Sequence, residues 1–530
     1  MRYLFYAISL LILLTNLALA VFVSPHVLWS LVVFGPLIFL GVLDVFNKHH
    51  TIKRNFPLIG RLRYFFELIR PEIQQYFIES DTGGVPFNRL ERTLVYQRSK
   101  KVRDTVPYGT QRNVYATGFE WVNHSIRPQT LEAEDLRTTV GSDSCQKKYS
   151  ASLLNISGMS FGALSDRAIL AMNGGAKDGN FAHNTGEGAI SPYHLEPGGD
   201  LIWQIGTGYF GCRSDSGSFE PSKFKEKASI SQVKMIEIKL SQGAKPGHGG
   251  ILPARKLTAE ICTIRGVPMG KDIISPPGHS AFSTPIELCE FIQHLRELSG
   301  GKPVGFKLCV GKRREFLAIC KAIQETGIAP DFITVDGAEG GTGAAPLEFS
   351  NHIGSPLIES LIFVHNALVG FNIRDRIRVI ASGKVTSGFG MVKRLALGAD
   401  ICSAARAMML AVGCIQALKC NSNECPAGVA TQNRELINGL NVLDKRTRVT
   451  NFHHSTIHSV SEILGAMGLS SASELRPWHI MRRINESEIR HYGEIYEFLN
   501  EGDLIEKPFP KTYKRALEVA SASSFGYSPE

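Results

Sequence analysis

The chain has 530 residues, 43% of them hydrophobic and 20% charged, which is ample material for a buried core and excludes a disordered polyelectrolyte. Lys and Arg number 58 against 49 Asp and Glu, a net charge of +9. Part of that excess (Lys48, Lys53, Arg54, Arg61, Arg63) directly follows an apolar segment, so it speaks for membrane topology and against a nucleic-acid partner. Ten cysteines are too few for a disulfide scaffold. Cys262, Cys289, Cys309 and Cys320 lie singly in apolar runs, as core thiols of a reducing compartment do.

Two apolar runs open the chain, 3–23 and 27–43, separated by Ser24, Pro25 and His26. Each can cross about 30 Å of hydrocarbon as a helix, and the proline break between them reads as a turn joining antiparallel spans. Residues 1–46 are therefore expected to form a transmembrane hairpin. The basic cluster after the second run then places the rest of the chain on the cytoplasmic side of the cell membrane. The competing reading is a signal peptide, because Ala18, Leu19 and Ala20 resemble a cleavage site. It would leave one anchor with its positive flank on the wrong side.

Residues 47–150 read as a juxtamembrane linker and cap, turn-rich at 56–60 and with helical apolar spacing over 64–77. From 151 to about 450 short apolar β-rich runs alternate with helical segments. The predicted strands are 152–156, 180–182, 201–205, 235–240, 304–309, 332–335, 378–381 and 400–402. The predicted helices are 166–172, 285–298, 314–326, 355–369 and 390–397. Eight such units point to an α/β fold of the (β/α)8 TIM-barrel type, with a doubly wound open sheet as the alternative that shares the local pattern. Residues 451–530 are expected to be a C-terminal helical extension and tail without chemistry.

Gly158, Ser160 and Gly162 fit the G-x-S-x-G nucleophile elbow after a strand, with Asp336 and His365 available downstream. The competing reading is the small turn that a barrel flavoenzyme needs at the end of its first strand, where the backbone at Met159 and Ser160 approaches a planar ring. Gly206, Gly208 and Gly211 match a dinucleotide fingerprint, yet a loop composition follows where that motif demands a helix, so a built-in nicotinamide site is not expected.

Three late strands end in small residues: 336–343 with Gly341 and Thr342, 382–384 with Gly383, and 403–406 with Ala404 and Arg406. Backbone N–H groups there can close on a phosphate, in the usual place for this architecture. A phosphate clamp beside a large barrel mouth suggests FMN. Lys307, at the end of a strand, is placed to neutralise charge on a reduced ring. Cys414, Cys420 and Cys425, followed by Pro426, are three closely spaced thiols. They suit an iron-sulfur loop better than a zinc site, and three thiolates suit a 3Fe-4S cluster.

Six ordered stretches then carry a resemblance: 158–162, 184–188, 239–247, 274–277, 340–344 and 414–432. Together they resemble the synthase domain of the FMN-binding glutamate synthase family, in its short membrane-anchored form. The resemblance implies a barrel with FMN and a 3Fe-4S cluster that reduces 2-oxoglutarate plus ammonia to L-glutamate through an imine. It implies that Glu187, Lys239, Lys245 and Arg265 line the substrate end, where the cations would hold carboxylates. Two segments depart from the family pattern: His248 and Ile251 stand for a glutamate and a glutamine, and Gly278 for a proline. Both belong near the substrate, so the oxo acid or amine can differ. No glutaminase domain is expected, since the chain opens on Met1 and Arg2 and a span, so glutamine would serve only through a separate glutaminase. Electrons would come from an external donor, a ferredoxin or flavoprotein. The alternative is a membrane-anchored electron relay that keeps both cofactors without turnover.

Overall fold

The computed structural model describes residues 1–103 and 105–526. They form two compact units, 1–89 and 90–530. In the first, helices Arg2–Phe22 and Leu31–Phe46 are joined by a 3-10 turn over Pro25–Ser30. Arg2–Phe22 and Pro25–Phe46 are each long and apolar enough to cross a membrane, and few of their side chains are covered. The two helices meet at Gly41, where the Phe5 ring leaves no room for a Cβ. Asp44, buried at the end of the second helix, accepts hydrogen bonds from the Leu58 N–H (3.1 Å) and Arg61 Nε (2.8 Å). This pair fixes the start of helix Ile59–Ile73. The helix expected over 64–77 thus begins earlier and gives way to a π turn at Gln74–Ile78.

The second unit is built on a closed barrel of eight parallel strands, and the open-sheet alternative is excluded. The strands are β1 (Leu154–Ile156), β2 (His183–Asn184), β3 (Leu201–Ile205), β4 (Val233–Lys239), β5 (Val304–Leu308), β6 (Phe332–Asp336), β7 (Arg378–Ser382) and β8 (Ile401–Ala404). Closure comes from β8 pairing with β1, Cys402 opposite Leu154 and Ala404 opposite Ile156. Seven of the predicted strands lie within a few residues of these. The expectation at 180–182 is displaced: Phe181 and Ala182 look like a strand, but the paired residues are the polar His183 and Asn184 that follow. The predicted run 152–156 is divided, its first residue belonging to a hairpin of Arg137–Val140 with Tyr149–Ser152.

That hairpin plugs the barrel from below. Val140, Tyr149 and Ala151 form one apolar cluster with Ala182, Ile202, Met235, Phe332, Ile380 and Ile401, all drawn from the N-terminal halves of the strands or just before them. Each of these strands is buried on both faces, as a parallel sheet covered by helices requires.

Sequence-local caps set the surrounding helices. Thr284 accepts from the Glu287 N–H while Glu287 accepts from the Thr284 N–H, both at 3.2 Å, and Pro285 occupies the first helical position of Pro285–Leu298. This is a capping box with a preorganised first turn. Arg313–Thr326 ends at Gly327 with φ +71°, the left-handed cap that glycine accepts without a Cβ penalty. Helix Val442–Ala466 lies on Asp166–Asp178, where Gly174 and Gly175 admit Arg446 and Val449. Strand Glu120–Val122 pairs with Ile480–Arg483, which pairs with Ile489–His491. A sheet therefore joins sequence segments some 360 residues apart.

Candidate active site

The C-terminal ends of the strands gather the polar residues. Within the barrel, Glu237 on β4 is 2% exposed and accepts three hydrogen bonds, from Asn184 (2.8 Å), Gln204 (2.6 Å) and Thr334 (2.6 Å). A buried carboxylate is tolerable only when its lone pairs are used in this way. Lys307 stands on the neighbouring strand and lies 3.4 Å from Asp336 at the end of β6. Burial pulls the Lys307 ammonium down, but Asp336, Glu237 and Glu187 outweigh it and hold the group above its ordinary value. Asp336 also accepts from the Gly243 N–H (2.8 Å). The fixed acid partners of Lys307 are not visible in local sequence, because parallel register brings them together.

One layer further out, Lys239 at the end of β4 contacts Glu187 at 3.1 Å. Burial raises the Glu187 carboxyl, and Lys239, Arg265 and Lys245 together more than cancel that, leaving it below the usual value and ionised at neutral pH. Gly206 and Gly250 stand against this carboxylate, and a Cβ at either would strike it. Lys245 is buried, and burial together with Lys239 lowers it to about 8 against the opposing pull of Glu187. Burial also brings Arg265 down to about 10. Arg265 donates to the Phe161 carbonyl at 2.9 Å and lies 5.2 Å above the Phe210 ring, while its buried Nε has no partner. The four residues expected at the substrate end thus share one electrostatic site. A narrow cavity beside them, lined by Glu187, Thr207, Lys239, His248 and Pro276 among others, leaves about 20 Å3, room for roughly one water.

The turn after β1 packs on the turn after β2. Gly186, at φ +64°, and Gly188 let Met159 and Ser160 approach their backbone, and a Cβ at Gly188 would strike Ser160. Ser160 has Arg265 near its hydroxyl (3.4 Å), whereas His365 sits on the outer helix Leu357–Gly370 and accepts from Arg374 (3.2 Å). Asp336 faces Lys307 instead. No Ser-His-Asp relay is assembled, and the hydrolase alternative falls. The dinucleotide alternative also fails, since after Gly211 the next helix begins only at Pro221.

The three small-residue strand ends are neighbours. The Gly337 N–H donates to Ser382 (2.9 Å), the Ser157 N–H to Ala404 (3.1 Å), and the Ser157 and Ser382 hydroxyls are 3.2 Å apart. Arg406 donates to the Glu339 carbonyl. Gly341 lies against the Arg406 guanidinium, which burial lowers despite Asp336 and Glu339. Gly383 supplies its carbonyl to Arg394 (2.7 Å).

Cys414, Cys420 and Cys425 sit in one loop after helix Arg406–Val412. Burial pushes the Cys414 thiol up to about 12, with Cys420 and Cys425 adding to the rise, so the three lie within electrostatic reach of each other. Tyr96 donates to the Cys414 carbonyl (2.8 Å), and the Gln416 N–H points at its sulfur (3.4 Å). Gln432 ties the loop to the turn after β1 through the Gly162 and Leu164 carbonyls. Among the described residues, no set of three His, Cys, Asp or Glu side chains converges on a point where a single metal ion would sit. The expected core thiols Cys262, Cys289, Cys309 and Cys320 are free and buried.

A model of the conserved region in glutamate synthase matches residues 99–470. The chain belongs to the glutamate synthase family. Over 526 aligned residues it is 34% identical to the glutamate synthase large subunit-like protein YerD of Bacillus subtilis, covering 91% of this chain and 99% of that one. It is 33% identical to the archaeal glutamate synthase of Methanocaldococcus jannaschii, covering 71% and 70%. Among solved structures, a flavocytochrome b2 with sulfite bound is similar at TM-score 0.43 and 13% identity over 87% of this chain and 97% of that one, too weak a likeness to carry an argument. In this glutamate synthase family member, sequence reasoning missed one positioning pair. His279 Nδ1 meets the Tyr209 hydroxyl and its Nε2 the Lys239 carbonyl, both at 3.0 Å, and burial lowers it to about 4. A neutral imidazole with both nitrogens engaged fixes the backbone that carries Lys239.

Proposed function

We propose that the chain is an FMN-dependent oxidoreductase of the glutamate synthase type that reductively aminates a 2-oxo acid, 2-oxoglutarate with ammonia giving L-glutamate. The observation that carries this reading is the ionised Glu187 set among Lys239, Lys245 and Arg265 at the barrel mouth. Three cations around one acid leave a positive surplus suited to a dicarboxylate, and the unpartnered Arg265 Nε is a buried donor that a carboxylate would satisfy.

Lys245 and Arg265 would grip the carboxylates and fix the keto carbon. Condensation with ammonia expels water, so a proton must reach the leaving oxygen. Ammonium brings that proton with it, which leaves Lys245 to the carboxylate it grips while charged, below about 8. Lys239, held in place by Glu187, supplies positive charge beside the carbon. FMN, when bound, would supply the two electrons that convert C=N to CH–NH. The residues that would hold it are those at the adjacent strand ends, Gly341, Thr342, Gly383 and Ala404 with Arg406 for the phosphate, with Met159 and Ser160 toward the ring and Lys307 to offset its charge when reduced.

For a 3Fe-4S cluster, the donor chemistry of Cys414, Cys420 and Cys425 fits. Such a cluster takes one thiolate per iron, so its ligands need not converge on a point. The Cys414 and Cys420 thiols, pushed up by burial, stay protonated without metal and would release protons on binding it. Electrons would enter there from a ferredoxin or flavoprotein, ammonia directly or from a separate glutaminase, with the barrel on the cytoplasmic side of the membrane.

The test is the full chain, purified anaerobically in detergent, given 2-oxoglutarate, ammonium and reduced ferredoxin. Flavin and iron in the preparation, with L-glutamate formed, support the reading. Both cofactors without glutamate would replace it by the electron relay, and a colourless, iron-free preparation would remove both.

A further inference from the structure

A cavity of about 700 Å3 opens at the N-terminal mouth of the barrel. Val233 and Lys234, which begin β4, line it; Lys239 ends the same strand, ~17 Å away at the rise of an extended chain. The wall carries five lysines, Lys147, Lys148, Lys225, Lys234 and Lys302, and among the described residues one acid, Glu297. Lys148 pairs with Asp143 at 3.4 Å and Lys234 with Asp200 at 3.7 Å. Lys302 is buried and donates to the Ala228 and Ile230 carbonyls, the latter at 3.0 Å, leaving a third N–H. Lys147 and Lys225 have no carboxylate partner among the described residues. Ammonium groups gathered around one concavity repel each other, and an anion seated among them relieves that repulsion.

We propose that this cavity binds a small polyphosphate anion, a free diphosphate or oligophosphate group, at a site separate from the barrel's C-terminal mouth. The composition of the wall chooses the class. Lysine is a compact point charge that binds phosphate without a fixed fork, and among the described residues no arginine lines the cavity to grip an anion in bidentate fashion. The one aromatic ring on the wall, Tyr149, is buried and spends its hydroxyl on Asp200 (3.0 Å), so no face is offered for stacking a base. A lipid phosphodiester carries a single charge, too little for this number of lysines. Burial foremost, and then the charges of Lys147 and Lys234, holds Lys302 down at about 8. The same loop, 299–302, leads directly into β5 and Lys307.

Isothermal titration of the full chain in non-ionic detergent with sodium pyrophosphate tests this, with the double variant Lys147→Gln, Lys225→Gln as comparison. Both positions are exposed and hold no other group, so thermal melting should match the wild type. The inference expects saturable binding by the wild type, weakened by salt, and at least about tenfold weaker in the double variant. Glycerophosphoglycerol and citrate should bind more weakly than pyrophosphate. No saturable binding up to millimolar concentration, equal binding by the double variant, or tighter binding of citrate or the lipid headgroup would overturn it. So would displacement of pyrophosphate by added FMN, which would put the anion at the other mouth.

Discussion

The two ends of the barrel are made of different matter. Below, Ala182, Ile202, Met235, Phe332, Ile380 and Ile401 meet the hairpin residues Val140, Tyr149 and Ala151 in a dry cluster. Above, Asn184, Gln204, Glu237, Lys307 and Thr334 fill the same cylinder with a hydrogen-bonded polar network. Two residues along a strand, as from Met235 to Glu237 or Phe332 to Thr334, separate a layer that holds the fold from a layer that holds charge. The comparison teaches that stability and chemistry are partitioned between two adjacent layers along the barrel axis.

Breaking the lower layer should have the largest effect. Phe332→Ala empties a fully buried ring position, and denaturant unfolding should show a loss of about 3–5 kcal/mol, with turnover per folded molecule nearly retained. Breaking the upper layer should give the reverse. Glu187→Gln keeps the shape but removes the charge that holds Lys239, and turnover should fall about 100-fold, with stability within about 1 kcal/mol of the wild type. A preparation in which both variants lose stability alike would erase the partition.

Two pH responses sharpen it further. Lys245 is charged below about 8 and neutral above, so its grip on a carboxylate is present at lower pH and lost as pH rises. The KM for the oxo acid should rise up to about tenfold per pH unit above 8, and Lys245→Met should abolish that rise. Burial keeps His183 and His453 neutral down to about 3, against an ordinary 6.5. The unfolded chain takes up those protons first, so this contribution to stability is full above 6.5 and is lost as pH falls from 6.5 toward 3. Each histidine accounts for at most about 1.4 kcal/mol per pH unit. Replacing His183 by Asn should flatten the acid limb of unfolding without moving the KM profile.

How much of this was legible in the sequence follows from the range of the interactions. Strands β3 to β8 announce themselves by apolar runs because both faces are buried. His183 and Asn184 of β2 do not: Asn184 belongs to the polar layer, and His183 on the opposite face packs against His194. Helix Pro221–Ala228, rich in lysine, hides for the opposite reason: few of its residues are apolar. The pairing of Glu120–Val122 with Ile480–Arg483 leaves no local trace at all. At the site, Glu187, Lys239 and Lys245 are readable through motifs at or after strand ends, whereas Arg265, the last residue of helix Ala259–Arg265, is reached only through the family resemblance. Their settings, the Lys307–Asp336 contact, the Glu237 network and the His279–Tyr209 pair, depend on parallel register across the barrel, which no local window contains.

The most direct measurement is a single turnover. Anaerobic protein, reduced by two electrons per flavin, is mixed with 2-oxoglutarate, ammonium, or both. The account predicts that the oxidised flavin band returns only with both together, with one L-glutamate formed per flavin. Return with 2-oxoglutarate or ammonium alone, no return with both, or the absence of any flavin band would contradict it.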